Sequence, residues 1–74
     1  MKVTFQYSAG SEHGSDDYRY NNEVEAQEKF LSLKEIIRVQ FQGCSDVEVI
    51  DEPDFYGIMD KPTGDWARVM LNSR

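Results

Sequence analysis

Cysteine and histidine, the side chains that most often carry nucleophilic or metal chemistry, each occur once in these 74 residues, as Cys44 and His13. A lone cysteine closes no internal disulfide, and one cysteine with one histidine makes no zinc site. The chain also lacks any apolar run approaching the roughly 20 residues of a membrane span, and MKVTFQYSAG holds no apolar stretch of signal-peptide length. A cytoplasmic, reduced protein is the expectation, with no cofactor, no metal and no membrane partner. Basic residues are scarce in a more telling way. Residues 39 to 60 contain no Lys or Arg but six acids (Asp46, Glu48, Asp51, Glu52, Asp54 and Asp60), whereas the remainder balances eight acids against eight bases. The net charge of −6 therefore resides in one block, which argues against direct binding to nucleic acid, where cations must neutralise phosphates.

What is present suffices for one small domain, residues 1–74. At this length folding buries only about 60% of the surface of the unfolded chain, but an aromatic content of 12% makes a core plausible without staples. KVTFQYS alternates Val3, Phe5 and Tyr7 with polar residues at the period of a half-buried strand. SAGSEHGSDD reads as a long flexible loop leading to a second strand around Tyr18 and Tyr20. Ala26, Phe30, Leu33, Ile37 and Phe41 then recur at helical spacing and predict an amphipathic helix over 23–42, capped by Asn22 in a capping box with Glu25 and ended by Gly43. Glu25 with Lys29, and Glu35 with Arg38, are spaced for surface pairs.

After the helix, DVEVI alternates again, with Val47 and Val49 expected toward the core and Asp46 and Glu48 away from it. Pro53 breaks that strand, and FYGIMD and DWARVML flank a Lys61-Pro62-Thr63-Gly64 turn. The expected fold class is α+β: a small antiparallel sheet in β-β-α-β-β-β order with one long helix on one face.

Glu12, His13, Asp16 and Asp17 fall close together, but a glycine-containing loop is costly to order around a metal, so this reads as a solvated loop. Catalysis needs a nucleophile with a base inside a water-excluding pocket. A sheet with one helix offers little enclosure for a usual pocket of about 300–1,000 Å³, so no catalytic residue is assigned and the protein is expected not to be an enzyme. Trp66 shares its strand face with Arg68 and Met70, opposite Ala67, Val69 and Leu71, and so lies on the less buried side, where indole is a frequent contact anchor. Phe55 goes to the core. Tyr56 fits either role and joins the contact set.

The candidate partner-binding residues are thus Asp46, Glu48, Asp51, Glu52, Asp54, Tyr56 and Trp66. Asp46 and Glu48 would stand about 6.6 Å apart on one strand face, a spacing compatible with phosphate mimicry. The expected function is a non-catalytic acidic module that binds a protein with a basic surface. Its sharper form is an inhibitor occupying a nucleic-acid-binding site, as among accessory proteins of phages and mobile elements. The alternatives are a small-molecule- or metal-binding domain and a structural subunit, including a homodimer.

Overall fold

The computed structural model describes residues 1–72. Strands β1 (Lys2–Ala9) and β2 (Glu12–Arg19) form a hairpin, helix α1 (Glu23–Gln40) follows, and β3 (Val47–Glu52), β4 (Phe55–Asp60) and β5 (Trp66–Asn72) complete a five-stranded sheet in the order β2-β1-β5-β4-β3. Every neighbouring pair is antiparallel. The domain is α+β, with the helix on one face of the sheet, and no helix among the described residues is long and apolar enough to cross a membrane.

The helix carries the chain from one sheet edge to the other. Crossing five strands spans roughly 19 Å at the usual inter-strand spacing, and 18 helical residues reach about 27 Å. Asn22 caps its start by accepting a hydrogen bond from the Val24 amide at 2.8 Å, and Glu23 and Glu25 add negative charge to the first turn. The end differs from expectation. Gly43 has no left-handed φ; the regular Phe41 N to Ile37 O bond (3.1 Å) is followed by a tighter three-residue step, Gln42 N to Val39 O (3.3 Å), that meets one of the last carbonyls. Arg38 pairs with Glu35 at 3.3 Å, whereas Lys29 lies over the Tyr18 ring at 4.2 Å instead of pairing with Glu25.

The expected long loop after the first strand is not a loop. A two-residue turn at Gly10-Ser11 joins β1 to β2, with Gly10 at φ +63°, and the polar run Glu12–Asp17 is already paired strand. Composition misleads here because β2 is a sheet edge whose side chains need little burial. Its place is held by cross-strand bonds, Thr4 Oγ1 to Asp17 Oδ1 (2.8 Å) and Gln6 Nε2 to Ser15 Oγ (3.4 Å). The Tyr7 ring also covers Gly14 so closely that an added Cβ would meet it at 2.6 Å.

The core consists of Val3, Ala26, Phe30, Leu33, Ile37, Tyr56, Ile58, Ala67 and Val69. Most of the predicted helical stripe is buried as expected; Phe41, at its end, is half-buried against the core. Val49 is not core: it is 49% exposed, because α1 lies over β5 and β1 and its cover does not extend across β3. Pro53 sits with Asp54 in the two-residue turn between β3 and β4, and Gly64 (φ +79°) in the turn between β4 and β5. Ile37→Ala should lower unfolding free energy by about 2–5 kcal/mol. Ile36→Ala, on the exposed side of the same helix, should change it by no more than about 0.5 kcal/mol. Urea titration of both variants checks the pair.

Candidate binding face

The strand register divides the sheet into two faces. Toward α1 point Val3, Tyr18, Leu71, Val69, Ala67, Tyr56, Ile58, Val49 and Asp51, consistent with alternation along each strand. The opposite face is covered by no helix among the described residues. Three cross-strand rows define it: Glu52–Phe55–Met70–Thr4–Asp17, Ile50–Gly57–Arg68–Gln6–Ser15, and Glu48–Met59–Trp66–Ser8–His13. One half is polar and tied by the side-chain bonds between β1 and β2. The other half, over β3, β4 and β5, is largely apolar.

Gly57 shapes that apolar half. Without a side chain at the middle of the middle row, the surface dips into an open groove of about 410 Å³ whose walls include Ile50, Phe55, Met59, Trp66 and Arg68. The Phe55 ring leans over the glycine, 3.0 Å from where a Cβ would stand. Arg68 is fixed at the side of the groove: its Nε donates to Gln6 Oε1 at 2.7 Å, and its guanidinium lies 5.0 Å from the Trp66 ring centre. Placed so, the guanidinium lies beside the indole and borders the groove.

Trp66 therefore occupies the less buried sheet face, in company with Arg68 and Met70. Phe55 is a correction, for it belongs to the groove wall and not to the core under the helix. Tyr56 is another: it points to the helix side and is 5% exposed, so its ring is core and offers no contact surface. The signal for the groove was Gly57 itself, an isolated glycine within an alternating strand, which marks a close approach of other groups to the backbone.

The acidic block does not form one face. Asp51 points to the helix side and pairs with Lys34 Nζ at 2.8 Å, and the same ammonium lies 5.2 Å from the Tyr56 ring. Asp46 precedes β3 and lies 3.9 Å from Lys61 Nζ. Cations from outside the block thus relieve two of its charges, contrary to its appearance in sequence. Glu48 and Glu52 flank Ile50 on the open face and Asp54 occupies the turn, and among the described residues no cation lies within 4.0 Å of these three. Glu48 edges the groove directly.

The residues weighed for chemistry are dispersed. His13 and Asp17 project from the open face and Glu12 and Asp16 from the other, because the segment is a strand and alternates. Among the described residues no three His, Cys, Asp or Glu side chains are grouped to hold a metal. Cys44 is half-buried, and partial burial together with the nearby negative charges of Asp60 and Asp65 pushes its pKa above the ordinary value. The thiol form, a poor nucleophile, is thereby favoured. Comparison with protein-family models, curated proteins and solved structures returned no match.

The raised thiol pKa gives a direct expectation. Alkylation of Cys44 by iodoacetamide at pH 7 should be slower than that of a cysteine in an unstructured peptide. Its rate-against-pH profile should be displaced to higher pH, because thiolate forms only above the raised pKa. Asp60→Asn removes the repelling charge and should return the profile toward lower pH.

Proposed function

We propose that the protein is a non-catalytic binding module that docks onto a basic surface of another protein through its uncovered sheet face. The observation that carries this reading is the groove at Gly57, an apolar recess holding Trp66 and bordered by Glu48, which has no cationic partner within the described residues. An apolar centre with a charged rim is the common anatomy of protein contact surfaces. The aromatic wall supplies area that gains from desolvation, and the acids steer a cationic partner and raise its on-rate. The sharper form, occupation of a nucleic-acid-binding site, draws less support from the geometry. A row of phosphates would be imitated by unpaired acids on one face, and here Asp51 lies on the helix side beside Lys34 and Asp46 has Lys61 nearby.

Two double variants with the same change in charge separate the face from the charge. Glu48→Gln with Glu52→Gln should weaken affinity for a partner retained from host lysate, slow association and flatten the salt dependence. Glu12→Gln with Asp16→Asn, equal in net charge but on the far edge strand β2, should do so far less. Trp66→Ala should cost about 2 kcal/mol or more of binding energy as an anchor residue. Surface plasmon resonance at two salt concentrations reads all three. Equal losses from the two double variants would mean that bulk charge, and not this face, governs binding. A ternary complex with partner and saturating DNA or RNA would exclude direct mimicry.

A further inference from the structure

The two edges of the sheet are unlike. Hydrogen-bonding direction alternates along an antiparallel strand, and fixed bonds set the phase: Lys61 N donates to Asp46 O at 3.0 Å and Leu71 N to Asp54 O at 2.8 Å. Counting by twos, Glu48, Ile50 and Glu52 direct their peptide groups to β4, while Val47, Val49 and Asp51 direct theirs outward from the sheet. On the β2 edge, Tyr20 N donates to Met1 O at 2.9 Å, so His13, Ser15, Asp17 and Arg19 have the outward peptide groups. That edge exposes no large apolar side chain, whereas β3 exposes Val49 at 49% and Ile50 at 53%, one on each face. An edge bearing unpaired peptide groups between exposed aliphatic side chains is a template for another strand.

We propose that the outer edge of β3 receives a basic extended segment of the partner protein as a sixth strand. This deepens the proposed binding role and rests on it. Charge selects the occupant. A second copy of this chain pairing antiparallel along β3 would bring Glu48, Asp51 and Glu52 of one copy against the same acids of the other. In register about Ile50, Glu48 would stand directly opposite Glu52 twice, a destabilising arrangement. A segment with cations opposite Glu48 and Glu52 and an aliphatic residue opposite Ile50 meets complementary charge on the open face, beside the Gly57 groove. Opposite Val49 and Asp51, an aliphatic residue and a cation serve equally. Main-chain bonds would supply affinity and the alternating side chains specificity, as in recognition by strand addition generally. Read antiparallel to β3, the favoured segment is Lys-Lys-Ile-Val-Lys.

The test uses the full chain, labelled with 15N, and the acetylated and amidated peptide Thr-Lys-Lys-Ile-Val-Lys-Thr. Binding should slow hydrogen exchange at the amides of Val47, Val49 and Asp51 while leaving those of His13, Ser15 and Asp17 unchanged. Val49→Pro deletes one outward N–H without touching the β3–β4 ladder, a substitution tolerated on edge strands, and should weaken the peptide about tenfold. The same peptide methylated on alternate backbone nitrogens should bind the unaltered protein as poorly, which keeps the test independent of how the proline variant folds. Binding without protection at the three amides, or binding indifferent to N-methylation, would overturn strand addition while leaving docking on the open face intact. No detectable peptide binding at concentrations up to about 1 mM would overturn it as well. The broader reading stands or falls separately, on the paired charge variants measured against the protein partner.

Discussion

One helix lying on one face of a five-stranded sheet is the constraint from which the remaining features follow. The stripe Ala26, Phe30, Leu33 and Ile37 buries against Val3, Tyr56, Ile58, Ala67 and Val69, and with them makes up the buried hydrophobic core of the described residues. An α-helix with its side chains is about 10–12 Å across, wide enough to cover two or three strands and no more. The helix lies over β5 and β1, near the middle of the sheet. Everything outside that shadow must be stabilised by other means or left open. β2 is made polar and cross-bonded, β3 retains exposed aliphatics, and the opposite face has no helix over it among the described residues.

The same constraint explains how the acidic block is tolerated. In sequence it is a run of like charge with no relief. In space Lys34 reaches from the helix to Asp51 and the Tyr56 ring, and Lys61 comes near Asp46 from the following turn. Exposed pairs of this kind contribute no more than about 1 kcal/mol each, so they do not hold β3 in place; the β3–β4 ladder does. Their effect is on the distribution of charge. They leave Glu48 and Glu52 as the uncompensated acids of the strand, both beside the apolar recess.

The fold was readable because its signals are periodic. Spacings of three and four marked the helix face, and alternation marked the strands around Val3, Phe5 and Tyr7 and around Ala67 and Val69; these are the patterns that burial imposes. Failures fell where burial is weak. Glu12–Asp17 resembled a loop because an edge strand facing solvent has no need of alternation, and Val49 resembled core because alternation reveals a face but not whether anything covers it. Phe55 was placed on the wrong face and Tyr56 left undecided for a related reason. Adjacent residues in a strand must take opposite faces, and only the pairing of Tyr56 with Val69 identifies which of the two lies under the helix. Trp66 could be assigned correctly because Ala67 and Val69 beside it are unambiguously core. Charge was least readable of all, since the cations that meet Asp51 and Asp46 arrive from residues 17 and 15 positions away in sequence.

An edge strand with exposed Val49 and Ile50 would ordinarily endanger a protein whose stability is modest, because any like strand can add to it. Acids on that strand change which strands can add. Antiparallel self-pairing of β3 about Ile50 would set Glu48 against Glu52 twice, whereas the cationic segment proposed above would gain Coulombic attraction at both acids. On the proposed reading, the acids that oppose self-association through β3 are the same ones that select the partner. The recess at Gly57 adds a second discrimination. A segment lying along β3 reaches its aromatic wall only from the open face, so Glu48 and Glu52 govern approach to the apolar surface as well as to the edge. On that reading, the position of the single helix, which leaves β3 uncovered, gives protection against self-pairing and recognition of a partner to one strand.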